Sequence, residues 1–272
     1  MQDPFRKRFS TSLGKKLTRF LAKHEKTRVH AMRNTRPIAS FTFDDVPDSA
    51  HLHGARVLDE EGVKGTFYIA SGTCGALDTH WRVLSEAQVA DLHARGHEIG
   101  CHTLNHVNVH TLSQRELAFE CDRNAINLAR IVGGPIALPS FCYPFGDLGV
   151  AQKRYLQGRF ATCRSIYEGF NAGTVDLGMV LVIECFDATL TPEKLAATLA
   201  KARELNAWIV FYTHDVTETP TFMGCSPGLL RETVRAAKAA GFDVATMGDA
   251  LSLIGYDHDA SDGGGHVRVD AA

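Results

Sequence analysis

From residue 37 onward, apolar and polar positions follow two alternating rhythms. Short runs rich in β-branched and aromatic residues predict strands at Ile38–Phe43, Gly65–Ala70, Glu98–Cys101, Ser140–Tyr143, Phe160–Cys163, Val180–Ile183, Trp208–Tyr212 and Asp243–Ala245. Between them, apolar residues recur every third or fourth position. That spacing predicts helices over His51–Glu61, Ser85–Arg95, Ser113–Val132, Gly149–Gln157, Pro192–Leu205 and Pro227–Ala240. Ser85-x-x-Gln88 and Ser113-x-x-Glu116 have the form of capping boxes, and Thr191-Pro192 puts proline in a first turn. Gly62, Gly96 and Gly241 stand where helices stop. Strict strand–helix alternation predicts an α/β protein with a parallel sheet, open or closed into a barrel. Either architecture gathers its chemistry at the carboxyl ends of the strands. No internal repeat and no Pro/Gly-rich linker divides residues 37–256, so one domain is expected there.

The first 36 residues have a different pattern. Phe5, Phe9, Leu13, Leu17, Phe20 and Leu21 draw one apolar stripe on a helix, and Lys or Arg fills the other faces. Eleven basic residues face only Asp3 and Glu25 here, a local balance of +9, which leaves −11 for the remainder of a chain of net charge −2. A basic amphipathic helix over residues 5–21 suits peripheral contact with an anionic membrane. It suits equally a helix packed across the barrel, or a frayed extension. Residues 257–272, with Gly263-Gly264-Gly265, read as a loose tail.

Composition changes this picture little. With 44% apolar and 22% charged residues, the chain of 272 residues can bury a large core without staples. Its seven cysteines are odd in number, scattered and without a Cys-x-x-Cys pair, which argues against a disulfide framework and for a reducing compartment. Cys101, beside His102, can be read as a metal ligand or, the plainer reading, as a buried thiol at a strand end. No secretory hydrophobic core follows the basic start, and no apolar run approaches a spanning length. The cytoplasm is the expected location, and nucleic acid is not among the expected partners; the sequence leaves the oligomeric state open.

The candidate chemistry sits at strand ends. Asp44 and Asp45 close the run Ser40–Phe43; His102 and His106 follow the third strand; His214 ends Trp208–Thr213. Each signal has a plainer reading. An acidic pair after a strand is often a turn or cap, paired histidines can be compositional, and a lone histidine is often a satisfied core residue. Together they offer what a catalytic divalent metal needs: three protein ligands and an open position, with a second carboxylate left over as a base. Two adjacent carboxylates also conflict unless a cation intervenes. His214, followed by Asp215, is a candidate general acid. Ser140–Asp147 is an aromatic strand running into a Pro/Gly turn, read either as a plain turn or as a groove wall whose N–H groups face developing oxyanion charge.

Thr42-Phe43-Asp44-Asp45, His102-Thr103-x-x-His106, Tyr143-Pro144-Phe145-Gly146 and Ile209–His214, in that order, resemble the motifs of the polysaccharide deacetylase family. Lys64–Tyr68 is similar to that family's second strand, and the likeness covers about residues 37–252. The resemblance, which extends to nodulation-type chitooligosaccharide deacetylases, implies a distorted (β/α) barrel of about seven parallel strands and a divalent metal, zinc foremost, with cobalt or nickel as alternatives. It implies Asp45, His102 and His106 as ligands, Asp44 as general base and His214 as acid. It also implies Tyr143–Gly146 as a substrate wall, with the Phe145 N–H at the oxyanion. Many members carry an arginine two residues before the motif-three proline, where it orients the catalytic aspartate. Here that position is Cys142. Arg164 is the expected substitute, and Asp187 is either the partner of His214 or, the plainer reading, a loop acid.

These features support removal of an acetyl or similar acyl group from an amino sugar in an oligo- or polysaccharide. Two other readings stay open: a deformylase or cyclic amide hydrolase of the same superfamily, and a glycan-binding module without catalysis. Retention of all three ligands and of His214 speaks against the last.

Overall fold

The structure, a computed structural model, describes residue 18, residues 20–257 and the backbone of residues 267–269. Most of the apolar stripe at residues 5–21, and most of the 257–272 tail, therefore lie outside the described residues.

In chain order the strands are β1 (Val29–Ala31), β2 (Ile38–Phe43), β3 (Thr66–Ile69), β4 (Glu98–Cys101), β5 (Ile136–Leu138), β6 (Ser140–Cys142), β7 (Thr162–Glu168), β8 (Thr174–Asp176), β9 (Val180–Glu184), β10 (Trp208–Thr213), β11 (Asp243–Val244) and β12 (Val267–Val269). Seven of them, β2, β3, β4, β6, β7, β9 and β10, run parallel, and β10 pairs back onto β2 along its whole length to close a barrel. β11, the last strand expected from the sequence, is only two residues long and lies against the lower half of β2, on the edge whose upper half pairs with β3. The short β1, β5, β8 and β12 form separate antiparallel pairs, β1 with β8 and β5 with β12. At three residues each they are too brief to leave a periodic signal.

Side chains sort by the two-residue period of a strand. Ala39, Phe41, Phe43, Phe67, Ile99, Phe141 and Phe211 belong to the larger apolar cluster, outside the barrel. Ile38, Tyr68, Cys142, Val180, Val182, Trp208, Val210 and Tyr212 fill the barrel itself. The inward Trp208 satisfies its indole N–H by donating to Ser40 Oγ at 2.9 Å.

Residues 20–24 are helical, and beyond them the α-helices among the described residues are α1 (Arg56–Glu60), α2 (Glu86–Ala94), α3 (Gln114–Val132), α4 (Val150–Gln157), α5 (Pro192–Glu204), α6 (Pro227–Ala239) and α7 (Met247–Leu253). Both expected capping boxes are formed, at Ser85 and Ser113. The helix expected over residues 51–61 instead opens with a wide π-helical turn, Ala50–Ala55, before α1. Residues 20–31 are built onto the barrel. The buried Lys153 on α4 donates to the carbonyl oxygens of Ala22 (3.2 Å) and Glu25 (2.5 Å) and to Asp176 Oδ2 (2.7 Å). Asp176 in turn accepts from the Arg28 N–H at 3.1 Å. No helix among the described residues is long and apolar enough to cross a membrane.

Candidate active site

Both aspartates follow the carboxyl end of β2. The Asp44 N–H donates to the Thr213 carbonyl at 3.0 Å, which carries the β2–β10 ladder one residue past the strand. The chain then turns through positive φ at Asp45 (53°) and Val46 (27°). The turn separates the two carboxylates: Asp44 meets β6 and β7, and Asp45 meets the histidines beyond β4.

His102 Nδ1 lies 2.8 Å from the Cys142 carbonyl oxygen. A carbonyl can only accept, so Nδ1 carries the proton and Nε2 keeps its lone pair. The Nε2 atoms of His102 and His106 stand 3.3 and 2.9 Å from Asp45 Oδ1. That oxygen is buried and receives no well-directed hydrogen bond. Three ligand atoms thus converge within 4.8 Å of one another. An orphaned buried carboxylate oxygen beside two ring nitrogens, one of them oriented by the Cys142 carbonyl behind it, fits a divalent cation. Burial is the largest influence on the Asp45 carboxyl and raises its pKa, but the two imidazoles together outweigh it and hold the group well below the usual carboxylate range.

The loop between the histidines is held in a conformation that side chains rarely adopt. Thr103 and His106 have φ of 62° and 50°. Glu120, on the buried face of α3 and 8% exposed, anchors the loop. Its carboxylate accepts from the Leu104 N–H (3.0 Å), the Asn105 N–H (3.0 Å) and Asn105 Nδ2 (2.9 Å). One turn along the same face, Asn124 holds the end of β3, accepting from the Ser71 N–H and donating to the Ile69 carbonyl, both at 2.9 Å. With Phe145 (φ 59°), five of the six non-glycine residues of positive φ among the described residues lie at this site; the sixth is Asn206. Such conformations cost of order 1–3 kcal/mol each and persist where surroundings impose them.

Asp44, 4% exposed, is hydrogen-bonded through Oδ1 to Arg164 Nη2. The Cys142 thiol points at Oδ2 from 3.6 Å. Burial, the largest influence, pushes the Asp44 carboxyl up, but the Arg164 charge, helped by His102 and His214, brings it below its ordinary value. The Arg164 guanidinium is fully buried, with Tyr68 and Tyr212 ring centres 5.0 and 5.2 Å away. Cys142 and Arg164 are direct neighbours in the parallel register of β6 and β7. The cation thus stands one strand away from the position where the family motif has its arginine.

His214, beyond β10, has Nδ1 3.1 Å from the Met223 carbonyl, which leaves Nε2 for chemistry. Its ring packs near Trp81 (5.8 Å, 27° between planes) and Tyr212 (6.1 Å). Of the two readings of Asp187, the loop acid is the one found: Asp187 accepts from the Ser226 N–H at 2.8 Å and holds the start of α6, while the backbone of Met223, not Asp187, fixes the His214 imidazole. The expected wall Tyr143–Gly146 is also narrower than read. Tyr143 and Pro144 are buried, and the Tyr143 hydroxyl donates to the Gly178 carbonyl at 2.9 Å. Phe145 alone stands out, 62% exposed, its ring centre 4.4 Å from that of His106. Gly146 is required here, because at φ 60° a Cβ would sit 2.2 Å from Ile166 Cγ1.

Three residues escaped the sequence reading. Glu120 left a trace, since a carboxylate on the apolar face Leu117, Cys121, Leu128 must be paired. Trp81 and Asp147 left none. Asp147 accepts from Asn108 Nδ2 (2.7 Å) and lies 3.2 Å from His110 Nδ1, tying the Phe145 turn to the segment after His106.

The polysaccharide deacetylase family model matches residues 31–157. No curated protein sequence matches the chain. Among solved structures, a family 4 acetyl xylan esterase from Clostridium thermocellum, in complex with a cobalt ion, superposes with a TM-score of 0.58 at 18% identity, covering 81% of this chain and 93% of that one. The Bc1960 peptidoglycan N-acetylglucosamine deacetylase gives 0.58 at 17% identity, over 84% and 92%. A family 4 carbohydrate esterase of Bacillus subtilis gives 0.55 at 15% identity, over 88% and 89%. At these identities the structures establish a shared barrel. With the motif residues assembled at the barrel's carboxyl end, residues 31–157, just under half of the chain and spanning the first three motifs, are similar to the polysaccharide deacetylases.

Proposed function

We propose that this protein removes an N-acetyl or similar small acyl group from an amino sugar in an oligo- or polysaccharide, with a divalent metal as cofactor. The observation that carries the reading is the pairing of two differently equipped carboxylates: Asp45 Oδ1 facing His102 and His106, and Asp44 beside Arg164. Asp45, His102 and His106 would hold a divalent ion (zinc, or cobalt or nickel), which would supply Lewis acidity toward the amide carbonyl and the attacking water. Asp44, ionised beside the Arg164 guanidinium, takes the proton from that water as it adds to the carbonyl carbon. The Phe145 N–H donates to the oxygen on which negative charge grows. His214, with its Nδ1 proton occupied by the Met223 carbonyl, gives a proton from Nε2 to the leaving nitrogen, and the carbon–nitrogen bond breaks. An amine leaves poorly unprotonated, which is why a base and an acid are both needed.

The test measures bound metal and acetate release from N-acetylglucosamine oligomers together. Wild type should hold about one divalent ion per chain, as a single three-ligand site requires. His102→Ala with His106→Ala should lose both metal and turnover, and Asp44→Asn should keep the metal and lose turnover. Full activity in a metal-free protein would remove the mechanism.

A further inference from the structure

Beside the ligand triad, the end of β3 and the hairpin after it border a half-open cavity of about 240 Å³. Asp45 and His106 line one side, and Ala70, Ala76, Leu77 and Val83 provide an apolar wall. Backbone bonds hold the hairpin: the Asp78 N–H donates to the Trp81 carbonyl at 2.8 Å and the Val83 N–H to the Ala76 carbonyl at 2.9 Å. Val83 also pairs with Pro47, two residues past Asp45, so the wall is fixed relative to the ligands.

Of the other polar groups, Thr73 Oγ1 donates to the Ala70 carbonyl at 2.8 Å, and Asp78, whose Oδ1 accepts from the Thr79 N–H at 2.6 Å, stands exposed with its charge in water at the rim. A sugar ring carries many hydroxyl groups and would lose water there for few partners. A hydrocarbon chain loses nothing of that kind. Leu77, at the rim and 76% exposed, is an apolar side chain held in water that such a chain would cover. A water-sized group takes about 30 Å³ in a liquid. The cavity therefore has room for several carbons, whereas an acetyl group presents a single methyl.

We propose that this cavity receives the acyl chain of the substrate, and that the preferred substrates are N-acyl amino sugars with acyl groups of about four to six carbons, fewer than the roughly eight carbon-sized groups its whole volume would take because its rim is open to water. The inference rests on the hydrolase reading above and names its substrate class. The chemistry is unchanged: water adds to the carbonyl carbon, the carbon–nitrogen bond breaks, a short fatty carboxylate leaves, and the amine gains the proton from His214.

The experiment compares kcat/KM of the metal-loaded protein on N-acetyl-, N-butyryl- and N-hexanoyl-glucosamine oligomers, in wild type and Ala76→Phe. Ala76 lies on the exposed side of the hairpin, so its ring can enter the cavity without disturbing the core. In wild type each added methylene should raise kcat/KM about fourfold until the cavity is full. In Ala76→Phe the butyryl-to-acetyl and hexanoyl-to-acetyl ratios should fall toward one or below. Turnover of the acetyl substrate with no gain from longer chains overturns the proposal and leaves the hydrolase reading intact. Binding of acetate, butyrate and hexanoate by calorimetry needs no turnover. Affinity that rises with length in wild type and not in Ala76→Phe supports the acyl cavity even if no amide tried is cleaved, and equal affinities sink it.

Discussion

The buried guanidinium of Arg164 is hydrogen-bonded to Asp44 from the strand next to the one on which the family motif places its arginine. Removing one partner of a buried ion pair strands the other charge, at about 3–5 kcal/mol. Arg164→Met should therefore lower unfolding stability by about that amount and reduce deacylation at least about 100-fold, consistent with lost orientation of a reacting group. Because Cys142 is the cross-strand neighbour of Arg164, Cys142→Arg placed in the Arg164→Met background should restore part of both. Chemical denaturation and single-substrate kinetics on the three proteins decide it, and a double variant no better than Arg164→Met refutes the interchange.

Glu120 touches no ligand, yet it holds the loop on which both histidines depend. Glu120→Ala leaves two backbone N–H groups without their acceptor. Supporting contacts of metal ligands are commonly worth about 10–100-fold in metal affinity. A weakening of that size is expected in competition titration against a chelator, and Glu120→Gln, which keeps one acceptor oxygen, should fall between Ala and wild type. Unchanged metal affinity in the Ala variant would show that the loop holds itself.

Stability should fall with acid in a window set by His97. Burial, the largest influence, drives its pKa down from 6.5 to about 4, against the pull of Asp59. Its Nδ1 also accepts the Gly65 N–H at 3.2 Å, a bond that protonation would break. The unfolded chain takes up this proton near pH 6.5 and the folded chain only near pH 4. Stability is thus fully present above pH 6.5, declines as pH falls between these values and levels off below, by about 3 kcal/mol at most. His97→Asn, which keeps an acceptor near the Nδ1 position, should flatten the decline in urea denaturation followed from pH 7 to pH 4.

Gly146→Ala meets two obstacles, a positive φ and the side chain of Ile166. Destabilisation of about 1–3 kcal/mol is expected. Ile166→Ala in the same chain should recover the steric part, while the backbone part stays. A wild-type melting temperature for Gly146→Ala alone would mean that the Phe145 turn is looser than it looks.

Much of this was legible beforehand, for a physical reason. A strand buried on both faces must be apolar along its length, so Ile38–Phe43 and Trp208–Thr213 announce themselves, and the residue that ends such a run sits at the rim where chemistry gathers. Asp44, Asp45, His102 and His214 stand out on that account. What could not be read is what depends on one strand meeting another. That Asp187 caps Ser226 and leaves His214 to Met223, and that Tyr143 turns inward, are outcomes of register and of loop closure, which leave no local pattern; Arg164 was expected beside Asp44 only because Cys142 stands where the resembled motif has its arginine. Glu120 is the intermediate case. Its place on an apolar helix face signals a buried partner without saying which.

The adjacency of Cys142 and Arg164 also constrains how such a site can change during descent. A lineage that moves the cation between the two strands by single substitutions passes through one of two intermediates. If the old arginine goes first, a buried carboxylate is left without a counter-charge, and fold and activity suffer together. If the new arginine comes first, two guanidiniums share one carboxylate in a confined interior, and the excess positive charge is the burden. Neither route is neutral, so the two positions are bound to vary as a pair, and a survey that scores each motif position alone would mistake a relocated residue for a lost one.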